Sequence, residues 1–302
     1  MAWYSKYLTV FEKPLDSIPN EIKQEIKNKI QSVHSDSPLV SVVLIAHNEE
    51  THLLSCLWSL CENKTDYPIE ILVVNNNSTD STVPLLEELG VHWFDETKKG
   101  PGFARQRGLE EARGTYHLCI DSDTIYPPEY INTHMKYLVR PDVACTYGLW
   151  SFIPTKKNPA WALAIYEGLR DMHLRLQNLK RPELNVRGMV MGFRTEYGRK
   201  IGFRTDIKRG EDGSLALAMK PLGKLCFVTS RKARVLTCNS TLDQDGSLIN
   251  SIKVRLEKAL RGFTGLFTSK ENYDSDDTSN IITQEDYAPK KQAPQKDVDQ
   301  SI

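Results

Sequence analysis

The segment Tyr116-His-Leu-Cys-Ile-Asp-Ser-Asp-Thr124 decides the fold. A short apolar run ends in two carboxylates, Asp121 and Asp123, one residue apart. A run of that length, bounded by turn-forming residues, reads as a buried strand with acids at its carboxyl end. The same texture recurs upstream. Val40-Ser-Val-Val-Leu-Ile-Ala46 and Glu70-Ile-Leu-Val-Val74 are β-rich, and Val91-His-Trp-Phe94 is a shorter third run. Helix patterns lie between them. The first starts at Asn48-Glu-Glu-Thr51 and carries Leu53, Leu54, Leu57, Trp58 and Leu60. The second carries Val83, Leu85, Leu86 and Leu89 and stops at Gly90, and the third covers 103–112 after Gly100-Pro-Gly102. Strand and helix alternating through short polar turns predict an α/β fold: a doubly wound, mainly parallel sheet flanked by helices. Such sheets bind ligands outside the carboxyl ends of their strands. The site is therefore expected at the turns 46–49, 75–80 and 121–123.

The chain has 302 residues, enough for one large α/β domain or two small ones. Its 39 acidic and 39 basic residues argue against a nucleic-acid binder, which carries a basic excess. No apolar run approaches the roughly 18 residues of a membrane helix, and 1–11 lacks the apolar core of a signal peptide. A cytoplasmic protein is expected. Six cysteines in this length do not form a disulfide scaffold. Cys56, Cys119 and Cys226 sit in apolar stretches, and Cys56 and Cys61 lack zinc-type spacing, so reduced, mostly buried thiols are expected.

Residues 1–38 read as a polar extension with a helix over 21–33, Asn20 its N-cap and Ile22, Ile26 and Ile30 its apolar stripe. The main domain is assigned to 39–240. Within it, 158–179 reads as a helix with Trp161, Ile165, Leu169 and Met172 about one turn apart, 211–219 as a helix, and 225–228 and 233–236 as strands. Residues 241–270 form a basic amphipathic segment, with Lys253, Arg255, Lys258 and Arg261 set against Leu256, Leu260, Phe263 and Phe267. Packing on the domain is the favoured reading of that stripe. Peripheral contact with an anionic membrane at its inner face is the alternative. The acidic tail 271–302 lacks large apolar side chains and is expected to be disordered.

Three motifs carry chemistry. Asp121 and Asp123 project to the same side of an extended segment, where a hard divalent cation can bridge them to phosphate oxygens. Mg²⁺ or Mn²⁺ suits such oxygen ligands and neutralises a departing diphosphate. A capped turn is the plainer reading, and the position at a strand end favours the metal. Asn75-Asn-Asn-Ser-Thr-Asp80 can read a base edge or ribose, or form an Asx turn that caps the next helix. Glu211 and Asp212 open a helix, where the local field favours carboxylates; either simple capping or a general base fits.

Taken together, these segments resemble glycosyltransferase family 2, the inverting enzymes with a GT-A fold. The resemblance runs from about residue 39 to residue 236. It is carried by Val40–Glu50, by Val73-Val-Asn-Asn-Asn-Ser-Thr-Asp80, by Gly102-Phe-Ala-Arg-Gln-Arg-Gly108, by Ile120-Asp-Ser-Asp123, and by Gly210-Glu-Asp212 with Pro221-Leu-Gly223. Their order is more specific than any one of them. It implies a sugar transfer from a nucleoside-diphosphate sugar, UDP-sugar favoured, to a saccharide or lipid-linked acceptor. Ala46, Asn48 and Glu49 would face the nucleotide, Asn76 the base, Asp121 the ribose or metal, and Arg105 the diphosphate. Asp123 would hold Mn²⁺ or Mg²⁺, and Asp212 would be the general base. Glu211 and Trp150 are candidates for the acceptor site. The chain departs from the family pattern at Ile45, His47, Asn75 and Gln106. Two alternatives stand beside this reading: a phosphotransferase with Asp121 as nucleophile, and a non-catalytic sugar-nucleotide-binding relative. The sequence gives no oligomeric state.

Overall fold

Alternation along the first strand sets the layers. Val40, Val42, Leu44 and Ala46 join one buried apolar cluster, while Val43 faces the other side with Leu72 and Ala112. Both faces of the strand are covered, which is why the segment reads as continuously apolar. In the computed structural model, residues 2–239 are described. The predicted basic segment 241–270 and the tail 271–302 lie outside the described residues.

The strands are β1 (Val40–Ala46), β2 (Ile69–Asn75), β3 (His92–Asp95), β4 (Tyr116–Asp121), β5 (Thr124–Ile125), β6 (Val143–Gly148), β7 (Trp150–Phe152), β8 (Met191–Arg194), β9 (Lys224–Val228) and β10 (Val235–Thr237). The helices are α1 (Asn20–Val33), α2 (Leu53–Cys61), α3 (Thr82–Leu89), α4 (Pro101–Glu111), α5 (Tyr130–Leu138), α6 (Ala160–Asn178), α7 (Thr195–Ile201) and α8 (Glu211–Met219). A seven-stranded sheet runs β3-β2-β1-β4-β8-β6-β9, and a smaller sheet runs β5-β10-β7. β1 pairs in parallel with β2 and β4, and β3 with β2. β8 is antiparallel to both β4 and β6, and β9 is parallel to β6. The predicted mainly parallel sheet is thus present, with β8 its one reversed strand.

Residues of α1, α2 and α3 cover one face of the main sheet, and α4, α7 and α8 contribute to the other. Gly108 of α4 lies against β1 and β2, and a Cβ there would stand 2.4 Å from Val43 Cγ1. This glycine lets α4 settle directly on the sheet, and that placement fixes Arg105 one turn earlier.

Several local expectations change. The N-terminal extension is not merely polar: Tyr7, Val10, Phe11 and Ile18 are buried in the main core. Pro19, not Asn20, occupies the N-cap of α1, and no side chain caps it. α2 begins at Leu53, not at Asn48, because Asn48 takes φ +58° and the backbone N–H groups of Glu49 and Glu50 bond to Thr82 and Asp80. α6 turns Leu163, Tyr166, Arg170 and Leu174 inward, so the anticipated apolar stripe of Trp161 and Ile165 faces outward. All six cysteines are free thiols, and Cys226 is the partly exposed one.

Candidate active site

Arg105 is the hub of the site. Only 3% of it is exposed, at the carboxyl end of β4. Its Nη2 donates to Asp121 Oδ1 at 2.6 Å. Its Nε stands 3.0 Å from Asp212 Oδ1 and 3.6 Å from Glu211 Oε1. The face of the guanidinium rests on Gly188, where a Cβ would come within 1.7 Å of Nη2. Residues from α4, β4, the turn before β8 and the start of α8 are thereby drawn together across the sheet.

Gly210 adopts φ +94° and opens α8, which puts Glu211 and Asp212 in its first turn. Glycine suits that left-handed backbone, and the helix N-terminus favours acids there. Burial raises the pKa of Glu211, and the charge of Asp212 adds to this, against the pull of Arg105. Asp121 is likewise raised, first by its enclosure in the protein; Arg105 opposes this, and Asp123 and Asp212 reinforce it. The backbone N–H of Asp121 donates to Tyr126 Oη, which itself donates to the Met189 carbonyl.

Asp123 sits one residue past Ser122 and faces the small sheet. Its carboxylate accepts from the Thr124 hydroxyl at 3.1 Å and from the Cys238 thiol at 2.9 Å. Among the described residues no three or more His, Cys, Asp and Glu side chains form a cluster able to hold an ion by themselves.

The nucleotide-side turns are tied to each other. Ala46 closes β1, and its carbonyl accepts from the Asn76 N–H at 2.8 Å. Asn48 Oδ1 accepts from the Thr79 N–H at 2.7 Å, and His47 Nδ1 lies 2.7 Å from the Asn76 carbonyl. His47 therefore acts as a packing and hydrogen-bonding group. The Asn76 amide is committed: its nitrogen donates to the Glu96 and Lys98 carbonyls, and its oxygen accepts from Gly100 N–H. Asn75, which replaces an expected acid, donates to Asp95 at 2.6 Å. Glu49 accepts from or shares a proton with His52 Nδ1 at 2.8 Å. Burial raises the Glu49 carboxyl pKa against that contact, and the charge of Asp123 raises it further.

The predicted residues divide accordingly. Arg105, Asp121, Glu211 and Asp212 converge, and Asp123 borders them. Ala46, Asn48, Glu49 and Asn76 form the adjoining turns. Trp150 stands apart, 6% exposed, with the Arg170 guanidinium 4.4 Å and the Arg187 guanidinium 5.9 Å from its ring. Its ring is occupied by arginines, not open to a sugar. Sequence reasoning missed Gly188 and Cys238. The small apolar run Gly188-Met-Val-Met-Gly192 was a signal for the first, and nothing local marked the second.

Residues 41–202 match the profile of glycosyl transferase family 2, and the chain belongs to that family. That membership removes the phosphotransferase alternative. The chain is 30% identical over 189 residues to the glycosyltransferase GlyA of Streptococcus pneumoniae, covering 58% of this chain and 27% of that protein. The structure of S. aureus TarS 1–349 in complex with UDP-GlcNAc is similar at TM-score 0.50 and 19% identity, over 66% of this chain and 58% of that one. A mannosyltransferase from Pyrobaculum calidifontis, solved with GDP-Man and Mn²⁺, is similar at TM-score 0.51 and 18% identity, over 78% and 68%. These likenesses show the GT-A fold. The chain spans half or less of the length of the first curated relatives it matches. No helix among the described residues is long and apolar enough to cross a membrane.

Proposed function

We propose that this protein transfers a sugar from a nucleoside-diphosphate sugar to an acceptor hydroxyl in a single in-line displacement that inverts the anomeric carbon. The observation that carries the proposal is the convergence of Asp121, Glu211 and Asp212 on buried Arg105 at the carboxyl end of β4.

Asp121, Glu211 and Asp212 share Arg105 as their buried cationic partner, and Asp123 is met by neutral hydroxyl and thiol donors. Unbalanced negative charge on hard oxygen donors fits Mn²⁺ or Mg²⁺, ions bound through one or two carboxylates together with substrate phosphates. Asp123, beside Asp121, would hold it. Bound there, the ion would neutralise charge on the leaving diphosphate. The Mn²⁺ in the Pyrobaculum calidifontis complex supports this choice.

The turns at Ala46, Asn48, Glu49 and Asn76 form the floor for the nucleotide. The acceptor oxygen attacks the anomeric carbon from the face opposite the diphosphate. As the new C–O bond forms and the C–O bond to phosphate breaks, Asp212 takes the acceptor proton. Arg105 keeps Asp212 and Asp121 in place. A saccharide or lipid-linked acceptor, a UDP-sugar donor and a cytoplasmic location complete the reading.

The test is a thermal-shift screen of nucleoside diphosphates and sugar nucleotides, UDP and GDP series alike, with Mn²⁺, followed by product analysis by NMR. A bound donor raises the melting temperature by mass action, and the product has the anomeric configuration opposite to the donor's. No shift with any nucleotide, or retention of configuration, overturns the proposal.

A further inference from the structure

α6 is apolar on two opposite faces. Leu163, Tyr166 and Leu174 point into the core, and between them Arg170 is anchored on Trp150. On the other side Trp161, Ile165, Leu169, Met172, Leu176 and Leu179 are 70%, 56%, 51%, 57%, 52% and 77% exposed. Steps of three and four residues align these six into one stripe along about five helical turns. Single exposed apolar residues are ordinary on a soluble surface, but a continuous stripe marks a contact surface.

The charges around the stripe identify its partner. Exposed Lys156 and Lys157 precede α6, and exposed Arg175 and Lys180 lie toward its far end. The acids of the helix turn inward: Glu167 accepts from Ser151 and the Phe152 N–H, and Asp171 pairs with Arg170 and Arg234. The outward surface therefore combines apolar side chains, a tryptophan and bases. A second copy would set this basic rim against itself. Residues 249–267 of the same chain carry Lys253, Arg255, Lys258 and Arg261 against Glu257 alone, so they too would bring like charge. An anionic lipid surface matches both properties, because its interface takes up apolar side chains while its headgroups attract bases.

We infer that the outward face of α6 docks this protein on an anionic membrane surface, with Trp161 to Leu179 entering the headgroup region and Lys156 and Arg175 at the phosphates. Through Arg170 and Trp150, the opposite face of the helix is fixed to the domain, so docking holds the catalytic cleft at a set orientation to the lipid.

The test uses the full chain and vesicles of phosphatidylcholine, with or without one third phosphatidylglycerol, carrying brominated acyl chains. Tryptophan fluorescence is expected to be quenched on the anionic vesicles at low salt, and the Trp161→Phe variant is expected to lose that quenching. Leu169→Glu combined with Leu176→Glu is expected to weaken vesicle binding about ten-fold or more, with an unchanged melting temperature and an unchanged mass by light scattering. Quenching that persists in Trp161→Phe, or wild-type vesicle binding by the double variant, overturns the inference. A double variant whose mass halves assigns the stripe to a second copy. One that melts lower without a change in vesicle binding assigns it to the chain's own remaining residues. Either result also overturns the inference.

Discussion

Arg105 Nε lies 3.0 Å from Asp212 Oδ1, yet neither atom is aligned to hydrogen-bond the other. The pair is a close charge contact that holds the carboxylate in place without using that oxygen's lone pairs. A group meant to receive a proton needs this combination of fixed position and free acceptor capacity.

Asp212→Asn keeps the size of the side chain and removes its basicity. Sugar-nucleotide binding is expected to stay near wild type, while transfer falls by roughly 10²–10⁴-fold, the usual span for a lost general base. Glu211→Gln is expected to be milder. Steady-state kinetics alongside melting curves separate the roles. A drop in melting temperature with wild-type turnover in Asp212→Asn would reduce the Glu-Asp element to a helix cap.

Asp123→Ala is expected to abolish metal-dependent donor binding without unfolding the protein. Calorimetric titration of UDP or GDP with and without Mn²⁺ reads this directly. Wild-type transfer by the variant at limiting Mn²⁺ would transfer the ligand role elsewhere.

Gly188→Ala drives a methyl into the Arg105 guanidinium, whose Nη2 would lie 1.7 Å from the new Cβ. The arginine has to move, and its contacts with Asp121 and Asp212 break together. A cost of about 1–3 kcal/mol, typical of overpacking, is expected in denaturant unfolding, with a loss of transfer larger than the stability change explains. An unaffected kcat would mean that the Arg105 hub is only structural.

The N-terminal region is held by Glu62, which accepts from Tyr7 Oη at 2.8 Å and pairs with Lys6 and Lys29. Burial alone would raise this carboxyl's pKa, but the hydrogen bonds from Lys29, Lys6 and Tyr7 outweigh it and hold it down at about 2. A carboxyl with a depressed folded-state pKa contributes fully above the ordinary carboxylate range and loses that contribution as the pH falls through its folded value. Glu62→Gln is therefore expected to cost about 2 kcal/mol near neutral pH, with the difference from wild type shrinking between about pH 4.5 and pH 2. A difference that is constant with pH would show that the anchor is not electrostatic.

Much of the main sheet was legible because its strands and helices carry strong periodicity between clear breakers. β1, β2, β4 and α8 fall where the pattern put them, and Gly90 closes α3 at φ +64°. The small sheet was not fully legible, since strands as short as Thr124–Ile125 and Val235–Thr237 are too brief to show a period. The reversed β8 left no sign of its direction in the sequence, because strand direction depends on pairing at long range. Asp121, Asp123, Glu211 and Asp212 stood out as acids at turns and helix starts. What bound them together did not: Gly188 matters through the space it leaves, and Cys238 meets Asp123 across a separation of 115 residues. The N-terminal aromatics were hidden by the charged residues interspersed among them.

That last contact bears on the order of synthesis. Arg105, Asp121 and Asp123 leave the ribosome within one short stretch, but the Thr237 and Cys238 groups that face Asp123 follow more than a hundred residues later. A nascent chain can assemble β1 through β4 while Asp123 still lacks these neighbours. The last described strand thus finishes the pocket, and a chain arrested before residue 238 would hold the acids of the site without the wall that positions one of them.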